Sequence, residues 1–336
     1  MSESSQSSAL VHATPKNVVW GAIPADRPAV LRIRSGQSVR IETVSQQPLN
    51  HQDPATFFPA AGIPLDQVLP EAIAIYREVK KSPPGGPHVL TGPIYVEGAE
   101  PGDMLEVRVL DVAFRVPYGV NGTGPGSGVL PDLLRERVAP IVRLDLERNI
   151  GMFAEHVEVP LAPFMGIMAV APPPERAPAS TKPPGEWGGN MDFRHLVAGA
   201  TLYLPVFNTG ALFYTGDGHA AQGDGEVDGA AIEISLAPTL RFFVHKGAGR
   251  NMKWPRAEDA AHHYVMGMDE DLELALKEAV RESVEFLQRE AHVTPAQAYA
   301  LASFNVDFRI GEAVNIVKMV YGMIPKRLLQ KRSQRV

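Results

Sequence analysis

Residues 202–245 read LYLPVFNTGALFYTGDGHAAQGDGEVDGAAIEISLAPTLRFFVH, an acidic, glycine-rich loop between two apolar stretches. Apolar residues alternate with other residues on both sides of the loop, which is typical of β-strands with one buried face. The same alternation occurs at residues 105–109 and on both sides of Gly36 within residues 29–44, where it predicts a β-hairpin. The chain from 29 to 245 is therefore predicted to be mostly β, with short strands broken by glycine and proline. The alternating residues around the loop are Leu202, Leu204, Val206, Ile232, Ile234, Leu236, Leu240, Phe242 and Val244.

The composition indicates a large folded protein and excludes several kinds of function. The chain has 336 residues, of which 45% are hydrophobic, and a net charge of -6. These values exclude disorder for most of the chain, and no basic stripe is present to bind nucleic acid. Cysteine is absent, so disulfides, thiolate metal sites and cysteine nucleophiles are excluded. The 30 glycines and 30 prolines imply many turns and irregular connections.

The C-terminal part of the sequence changes character. From Asp269 onward, apolar residues recur at spacings of three and four, which predicts an amphipathic helix. Residues 294–297 read TPAQ, a capping-box pattern that announces a second helix. Apolar residues alternate again at 306–310 and predict one more strand. The predicted fold class is mainly β with an α+β C-terminal portion.

The predicted organisation is one intertwined unit with several regions. These are a disordered leader over 1–10, an N-terminal β-rich region over 11–170, a proline-rich loop over 171–187, a β region with the acidic loop over 188–250, and an α+β region over 251–336. The first residues are polar, and no run of about 18 apolar residues occurs. No membrane partner is therefore predicted, and the cytoplasm is the expected location.

The acidic loop at residues 215–229 is the densest polar cluster of the sequence. Carboxylates this close repel one another unless a cation lies among them, and carboxylates with an imidazole suit Zn²⁺, Mn²⁺, Fe²⁺ or Ca²⁺. A solvated acidic turn is the alternative. An EF-hand is excluded because Ser235 stands at the twelfth position, where that loop needs glutamate. The polar residues of the loop are Asp217, His219, Gln222, Asp224, Glu226 and Asp228.

Two further clusters are candidates to join this loop in one site. The segment GGNMD at 188–192 delivers Asn190 and Asp192 at the end of the proline-rich loop. A turn with Asp192 as a helix N-cap is the alternative there. His51 and Asp53 follow the predicted hairpin and share one side if the chain is extended. An exposed loop is the alternative for that pair.

These segments, in this order, resemble the acetamidase/formamidase family over about residues 17–326. The resemblance implies a mainly β fold of β-sandwich or barrel architecture, and hydrolysis of short linear amides to ammonia and a carboxylate. It also implies a divalent metal and a homo-oligomer, dimeric or higher. Zinc is the expected metal, with calcium or iron as alternatives. The likeness is carried by GPIYVEGAEPGDMLEVRVLDV (92–112), PLAPFMGIMAVAP (160–172), GGNMD (188–192), LYLPVFNTGALFYTGDGHAAQGDGEVDGAAIE (202–233) and DFRIGEAVN (307–315).

The resemblance implies roles for individual residues as well. Glu226 is expected to take a proton from a metal-activated water and to return it to the leaving nitrogen, with Asp224 as the second choice for this role. The metal-ligating candidates are Asp192, Asp217, His219 and His51, and His219 is also expected to take part in catalysis. The substrate-binding candidates are Asn190, Gly216, Gly218 and Gln222.

Two segments depart from the family's pattern. Residues 41–47 read IETVSQQ, without the aspartate that many relatives carry near there. Either His51 or Asp53 replaces it, or the site differs from that of the relatives. The tail has Gly311-Glu312 where relatives tend to carry Thr-Gln, which leaves the substrate preference open. A lactam is an alternative substrate. A calcium-stabilised β-rich binding module, or an oligomeric scaffold without metal, is the alternative to an enzyme.

Overall fold

The computed structural model describes residues 8–329 as two large β-sheets with helices on the outside. Apolar residues from both sheets form one continuous core. Phe213 of one sheet and Phe242 of the other meet there edge to face, with ring centroids 5.0 Å apart. The prediction of a mainly β fold with an α+β C-terminal portion is confirmed.

The helices and strands have the following bounds. The helices are α1 Pro54–Ala60, α2 Pro70–Glu78, α3 Leu272–Ala291 and α4 Pro295–Asn305. The strands are β1 Ala9–Val11, β2 Val18–Trp20, β3 Ala22–Ile23, β4 Leu31–Arg34, β5 Ser38–Ile41, β6 Val89–Glu97, β7 Met104–Phe114, β8 Tyr118–Val120, β9 Ile141–Asp145, β10 Ile150–Ala154, β11 Val157–Pro160, β12 Phe164–Ala169, β13 Ala179–Ser180, β14 Pro184–Gly185, β15 Gly188–Asn190, β16 Thr201–Pro205, β17 Phe213–His219, β18 Leu236–His245, β19 Arg256–Glu258, β20 His262–Asp269, β21 Asp307–Glu312 and β22 Lys318–Pro325.

The sheets draw on distant parts of the chain. The nine-stranded sheet has the order β1-β5-β18-β7-β16-β19-β20-β22-β21. The seven-stranded sheet has the order β14-β15-β12-β17-β6-β2, and β4 also pairs with β6. A four-stranded sheet, β11-β10-β9-β8, and the pair β13-β3 complete the set. Strands from three of the predicted regions share the largest sheet, while the region boundaries themselves stay a prediction.

The predicted hairpin over residues 29–44 is wrong, although both of its strands exist. β4 pairs in parallel with β6, whereas β5 pairs with β18 and β1. The turn at Gly36 (φ +91°) donates its N–H to Phe242 O rather than closing a ladder between the two strands. The alternation correctly predicts one exposed face for each strand, but β4 and β5 pair in different sheets instead of with each other.

Two other predictions near strand ends need correction. The leader predicted over 1–10 extends too far, because Ala9 and Leu10 belong to β1, while residues 1–7 lie outside the described chain. The strand predicted from Ile232 begins only at Leu236, and it then runs through Pro238 to His245. Before Leu236, the chain makes only isolated bridges through Glu233, because this segment bends around the buried polar groups described below.

The C-terminal predictions are confirmed. Asp271 caps α3 by accepting hydrogen bonds from the N–H groups of Glu273 and Leu274. Thr294 and Gln297 form the expected capping box of α4. β21 follows, and β22 completes the sheet without having been predicted. No helix within residues 8–329 is long and apolar enough to span a membrane.

Candidate active site

Strand β17 supplies the centre of the candidate site. Asp217 and His219 are two residues apart on this strand, so their side chains lie on the same face. Both are buried, with 2% and 0% of their surface exposed. Because β12 and β6 flank β17 in the seven-stranded sheet, both side chains are held on a rigid element.

Glu233 and Gln46 lie against these two side chains. Glu233 Oε1 and Asp217 Oδ1 each lie 3.3 Å from His219 Nε2. Gln46 Nε2 donates to Asp217 Oδ1 (2.8 Å) and to Glu233 Oε2 (2.6 Å). The side-chain amide of Gln46 therefore holds the carboxylates of Asp217 and Glu233 close together beside the His219 imidazole.

Asp192 and Glu226 also lie close to His219. Glu226 Oε1 lies 4.0 Å from His219 Nε2. Asn315 Nδ2 donates to Asp192 Oδ2 (3.1 Å), and the other carboxylate oxygen of Asp192 is buried without a hydrogen-bond partner among the described residues. His219 thus belongs to two compact groups of potential ligands, one with Asp217 and Glu233 and one with Asp192 and Glu226.

A glycine makes room for this cluster. Gly166 on β12 lies between the residues that pair with Gly216 and Gly218, directly opposite Asp217. A Cβ atom at position 166 would come within 2.6 Å of carboxylate oxygens of both Asp192 and Asp217, and within 2.9 Å of the His219 ring. These distances are shorter than real Cβ contacts, so only glycine leaves space where the polar groups converge.

The charge of the cluster is unbalanced. Burial would lower the pKa of His219, but the charges of Glu233 and Asp217 outweigh it and raise that pKa well above its usual range. Burial would raise the pKa of Asp217, but His88 and His219 outweigh it and lower that pKa. His88 Nε2 lies 3.7 Å from Asp217 Oδ2. The negative charge of Asp217 is therefore compensated by His88 and His219.

The remaining carboxylates of the cluster lack such charge compensation. Burial, followed by the repulsion of neighbouring carboxylates, raises the pKa values of Asp192 and Glu226 well above their usual range. Burial also raises the pKa of Glu233, and it raises the pKa of nearby Glu312 to about 7. Such a cluster holds protons unless a cation replaces them.

The donor set fits a divalent cation. Both ring nitrogens of His219 are buried without a hydrogen-bond partner among the described residues, as is one oxygen of Asp192. Ligands at about 2.1 Å from a tetrahedral zinc ion lie roughly 3.4 Å from one another, close to the 3.3 Å that separates His219 Nε2 from Asp217 and Glu233. Gln46 orients both of these carboxylates, as outer partners of metal ligands typically do.

The cluster lies at the end of a cavity of about 460 Å³. Asp192, Asp217, Glu226 and Glu233 line its floor. Other lining side chains include Gln46, Gln47, Asn50, His51, Lys81, His88, Ser127, Lys182, Asn190 and Asn315. A small polar molecule can therefore reach the carboxylates from outside.

Four of the predicted site residues meet in the cluster: Asp192, Asp217, His219 and Glu226. Two predicted substrate-binding residues lie beside it. Asn190 lines the cavity with its side-chain oxygen buried and unpartnered among the described residues. Gln222 Nε2 donates to the backbone oxygen of Asp192 (2.8 Å), which fixes that residue instead of facing the cavity.

Other predicted residues lie apart from the cluster. Asp224 accepts a hydrogen bond from Tyr321 (2.9 Å) and faces Arg309. His51 is exposed at the rim of the cavity, and Asp53 is the N-cap of α1.

Gly216 and Gly218 are enclosed by neighbouring chain segments, and neither is among the described residues that line the cavity. A Cβ atom at either position would lie 2.3–2.5 Å from a backbone oxygen, that of Val89 or of Ile234. Both residues therefore serve close backbone packing around β17.

Sequence reasoning missed Gln46, Glu233 and His88. Glu233 stands between Ile232 and Ile234 in an otherwise apolar stretch, a signal that a buried carboxylate is present. Gln46 lies in the segment of residues 41–47, which lacks the aspartate that many relatives carry. This segment does reach the cluster, but it contributes the amide of Gln46 instead of a carboxylate. The fold brings these residues together from positions far apart in sequence, which local patterns do not reveal.

Known proteins resemble this chain in both sequence and structure. The model of the acetamidase/formamidase family matches residues 76–178 and 175–331 of this chain. The chain belongs to the acetamidase/formamidase family. An acetamidase from Mycolicibacterium smegmatis is 30% identical over 226 residues, which are 48% of this chain and 54% of that protein. A formamidase from Methylophilus methylotrophus is 29% identical over 196 residues, 42% of this chain and 47% of that protein.

The chain thus spans about half the length of the curated relatives it matches. A solved structure of a predicted acetamidase/formamidase from Thermoanaerobacter tengcongensis superimposes with a TM-score of 0.78 at 26% identity. It covers 96% of this chain and 98% of its own. Within this family fold, the buried cluster is formed by the segments GGNMD and GDGHAAQGDGE together with Gln46 and Glu233.

Proposed function

We propose that this chain is an amidase that hydrolyses a short linear amide to ammonia and a carboxylate. The observation that carries the proposal is the buried cluster around His219, in which four carboxylates converge at the end of a cavity and two of them lie over Gly166. Membership of the acetamidase/formamidase family supports it, as do relatives named acetamidase and formamidase.

The residues proposed to hold a divalent metal, zinc first, are His219, Asp217 and Glu233. Bound there, the metal would supply a Lewis acid and would lower the pKa of a bound water towards neutrality. Gln46 fixes both carboxylates at the spacing that such an ion needs. Calcium or iron is the alternative metal, since mixed carboxylate–imidazole sites accept several ions.

Glu226 is proposed as the general base. Its carboxylate lines the cavity, and burial raises its pKa, so it accepts a proton more readily than an exposed glutamate does. It would remove a proton from the attacking water and pass it to the leaving nitrogen, which then departs as ammonia. Asp224 does not suit this role, because Tyr321 and Arg309 engage it away from the cavity lining.

Asn190 is proposed to orient the substrate. Its side-chain oxygen is buried and free of partners within the described residues, while its Nδ2 donates to Lys182 O (3.0 Å). An unpartnered acceptor on a residue of the cavity wall suits the NH₂ group of a primary amide, which is a donor. Discrimination against esters follows, because an ester leaves this oxygen unpaired.

The first experiment measures ammonia release from formamide, acetamide and propionamide before and after chelator treatment, with Zn²⁺ added back. Opening of a γ-lactam is followed in parallel as primary amine. We expect activity on a linear amide that disappears with chelator and returns with metal. Bound metal without turnover of any amide would contradict the proposal and favour a calcium-stabilised module. Release that chelator leaves unchanged would contradict the metal assignment.

Two isosteric variants separate the roles of the carboxylates. Glu226→Gln should lower kcat by about 100-fold or more, the usual contribution of a general base, while metal content per chain stays the same. Glu233→Gln should lower metal content itself. Loss of metal in Glu226→Gln would instead assign the ion to the group of Asp192, His219 and Glu226. The cytoplasmic location and the homo-oligomeric state stay predictions.

A further inference from the structure

The mouth of the cavity carries positive charge, in contrast to its acidic floor. Lys81 and Lys182 both line the cavity, and neither forms an ion pair with a carboxylate among residues 8–329. Lys81 Nζ contacts only an amide oxygen there, that of Asn50 (3.2 Å). Arg137 joins them by donating to Gln47 Oε1 (3.0 Å), and Gln47 also lines the cavity.

The positive charge at the cavity mouth also affects His51. Burial lowers the pKa of His51, and the positive charges of Arg137 and Lys81 lower it further. Since His51 lies at the cavity rim, these two cations act on the space that a ligand would occupy. Positive side chains that form no ion pair with a neighbouring carboxylate attract an anionic group of a ligand.

The backbone holds the two lysines on segments that meet at one point. Gly21 O accepts hydrogen bonds from Gly86 N (2.8 Å) and Thr181 N (3.0 Å), so the segment after Lys81 and the residue before Lys182 share one acceptor. A Cβ atom at Gly86 would lie 2.7 Å from Lys182 N. The two segments are therefore packed tightly, and both lysines are placed at the mouth by fixed backbone.

The cavity is larger than the smallest amides need. Acetamide has four heavy atoms, and at about 30 Å³ for each, the share of a water molecule in the liquid, it would fill about 120 Å³. The cavity measures about 460 Å³. The cavity therefore has room for an acyl chain of several more atoms.

We propose that the preferred substrate bears a carboxylate at the far end of its acyl chain, as the monoamide of a short dicarboxylic acid does. This inference rests on the proposed amidase function and names its substrate class. The amide end would reach Asn190 and the cluster, while the carboxylate would meet Lys81 and Lys182. A phosphate group is less suited, because none of the described residues that line the cavity begins a helix, the usual element of phosphate sites.

The competing explanation is that the cations only offset the negative charge of the floor. In that case, removing a lysine would change the handling of every amide in parallel. Substrate binding predicts something different, namely a loss that is specific to the carboxylate-bearing amide. The ratio of two substrates therefore separates the explanations.

The experiment compares succinamate with butanamide, which has the same number of carbons and no charge. The metal-loaded wild type is measured beside Lys81→Met, Lys182→Met and the double variant, with Lys80→Met as the matched control, since Lys80 is exposed and adjacent but does not line the described cavity. We expect kcat/KM of the wild type to favour succinamate by at least 100-fold. Each cavity variant should lower this ratio about tenfold, and Lys80→Met should leave it unchanged.

Two results would overturn the inference: a wild type that prefers butanamide or shows no preference, or lysine variants that slow both substrates in parallel. If no amide is hydrolysed at all, the amidase proposal itself fails. Ligand binding then tests whether Lys81 and Lys182 bind a carboxylate. Calorimetry with succinate and butanoate should then show succinate bound more tightly, with at least tenfold weaker binding in the double variant. Equal binding of the two acids would overturn it.

Discussion

At the scale of single residues, the acidic loop divides into groups with different fates. Asp217 and His219 continue a strand and point into the cluster. Glu226 adopts a left-handed backbone (φ +45°) that turns its carboxylate towards them, a conformation that few residues other than glycine accept without strain. Asp224, two positions earlier, accepts a hydrogen bond from the Tyr321 hydroxyl instead. Identity and spacing in the sequence alone do not separate these carboxylates.

The first prediction concerns the glycine under the cluster. Gly166→Ala should lower kcat/KM by at least 100-fold and reduce metal content, because its Cβ would press within 2.6 Å of Asp192 and Asp217 oxygens. Alanine is otherwise acceptable in a strand, so the fold should persist. The measurements are amide turnover, metal per chain by mass spectrometry and circular dichroism.

Gly223→Ala is the matched control for this substitution. Gly223 lies in the acidic loop, and a Cβ atom there meets nothing within 4 Å. Its activity and metal content should equal those of the wild type. A Gly166→Ala variant with full metal and full turnover would mean that the ion or the reaction lies elsewhere.

At the scale of elements, one connection between strands is fixed by a buried carboxylate that lies away from the candidate site. Asp103, in the turn between β6 and β7, is 4% exposed. It accepts hydrogen bonds from Lys246 Nζ (2.5 Å), from Gly247 N (2.8 Å) and from Glu100 N (2.8 Å). This carboxylate therefore ties the β6–β7 turn to the end of β18.

Asp103 gives a prediction about pH and stability. Burial would raise its pKa, but donation by Lys246 and by the backbone of Gly247 outweighs it and lowers the pKa below the usual value. A lowered folded-state pKa stabilises the protein above the unfolded-state pKa of about 3.9, and the effect fades as pH falls through the folded-state value. Asp103→Asn should thus cost about 1–3 kcal/mol near pH 7.

The measurement is denaturant unfolding of both proteins between pH 3 and 7. The difference in unfolding free energy should be largest above about pH 5 and should shrink towards pH 3. Amide turnover at pH 7 should be unaffected, because Asp103 does not line the described cavity. A difference that stays constant across this range would show that Asp103 acts through shape rather than charge.

At the scale of the whole molecule, the candidate site is a point where distant segments meet. Gln46 precedes α1, Gly166 lies on β12, and Asp192 follows β15. Glu226 lies in the acidic loop, and Glu233 follows that loop. The tail closes the set: Gly225 N donates to Gly311 O (3.0 Å), and Ala313 N donates to Gly225 O (3.1 Å). The cluster therefore forms only in the folded chain, and its charge bears on global stability.

This dependence predicts that metal stabilises the fold. A ligand that binds only the folded state adds about 4 kcal/mol at a free concentration a thousand times its Kd. Chelator-treated protein should melt several degrees lower than protein with Zn²⁺ restored, and the His219→Ala variant should not respond to Zn²⁺. Calorimetric melting curves with Zn²⁺, Ca²⁺ and no metal provide the check. An equal response to Zn²⁺ in His219→Ala would place the ion outside the cluster.

The sequence by itself determined the strand pattern, the capped C-terminal helices and the family, since these depend on local periodicity, local hydrogen bonds and contiguous motifs. It also indicated Asp192, Asp217, His219 and Glu226, because polar residues among apolar strands are conspicuous. It did not determine that β4 and β5 join different sheets, that Gln46 and Glu233 reach His219, or that Asp224 and His51 stay apart from the cluster. Those relations depend on how strands far apart in the chain pack, and only the tertiary structure decided them.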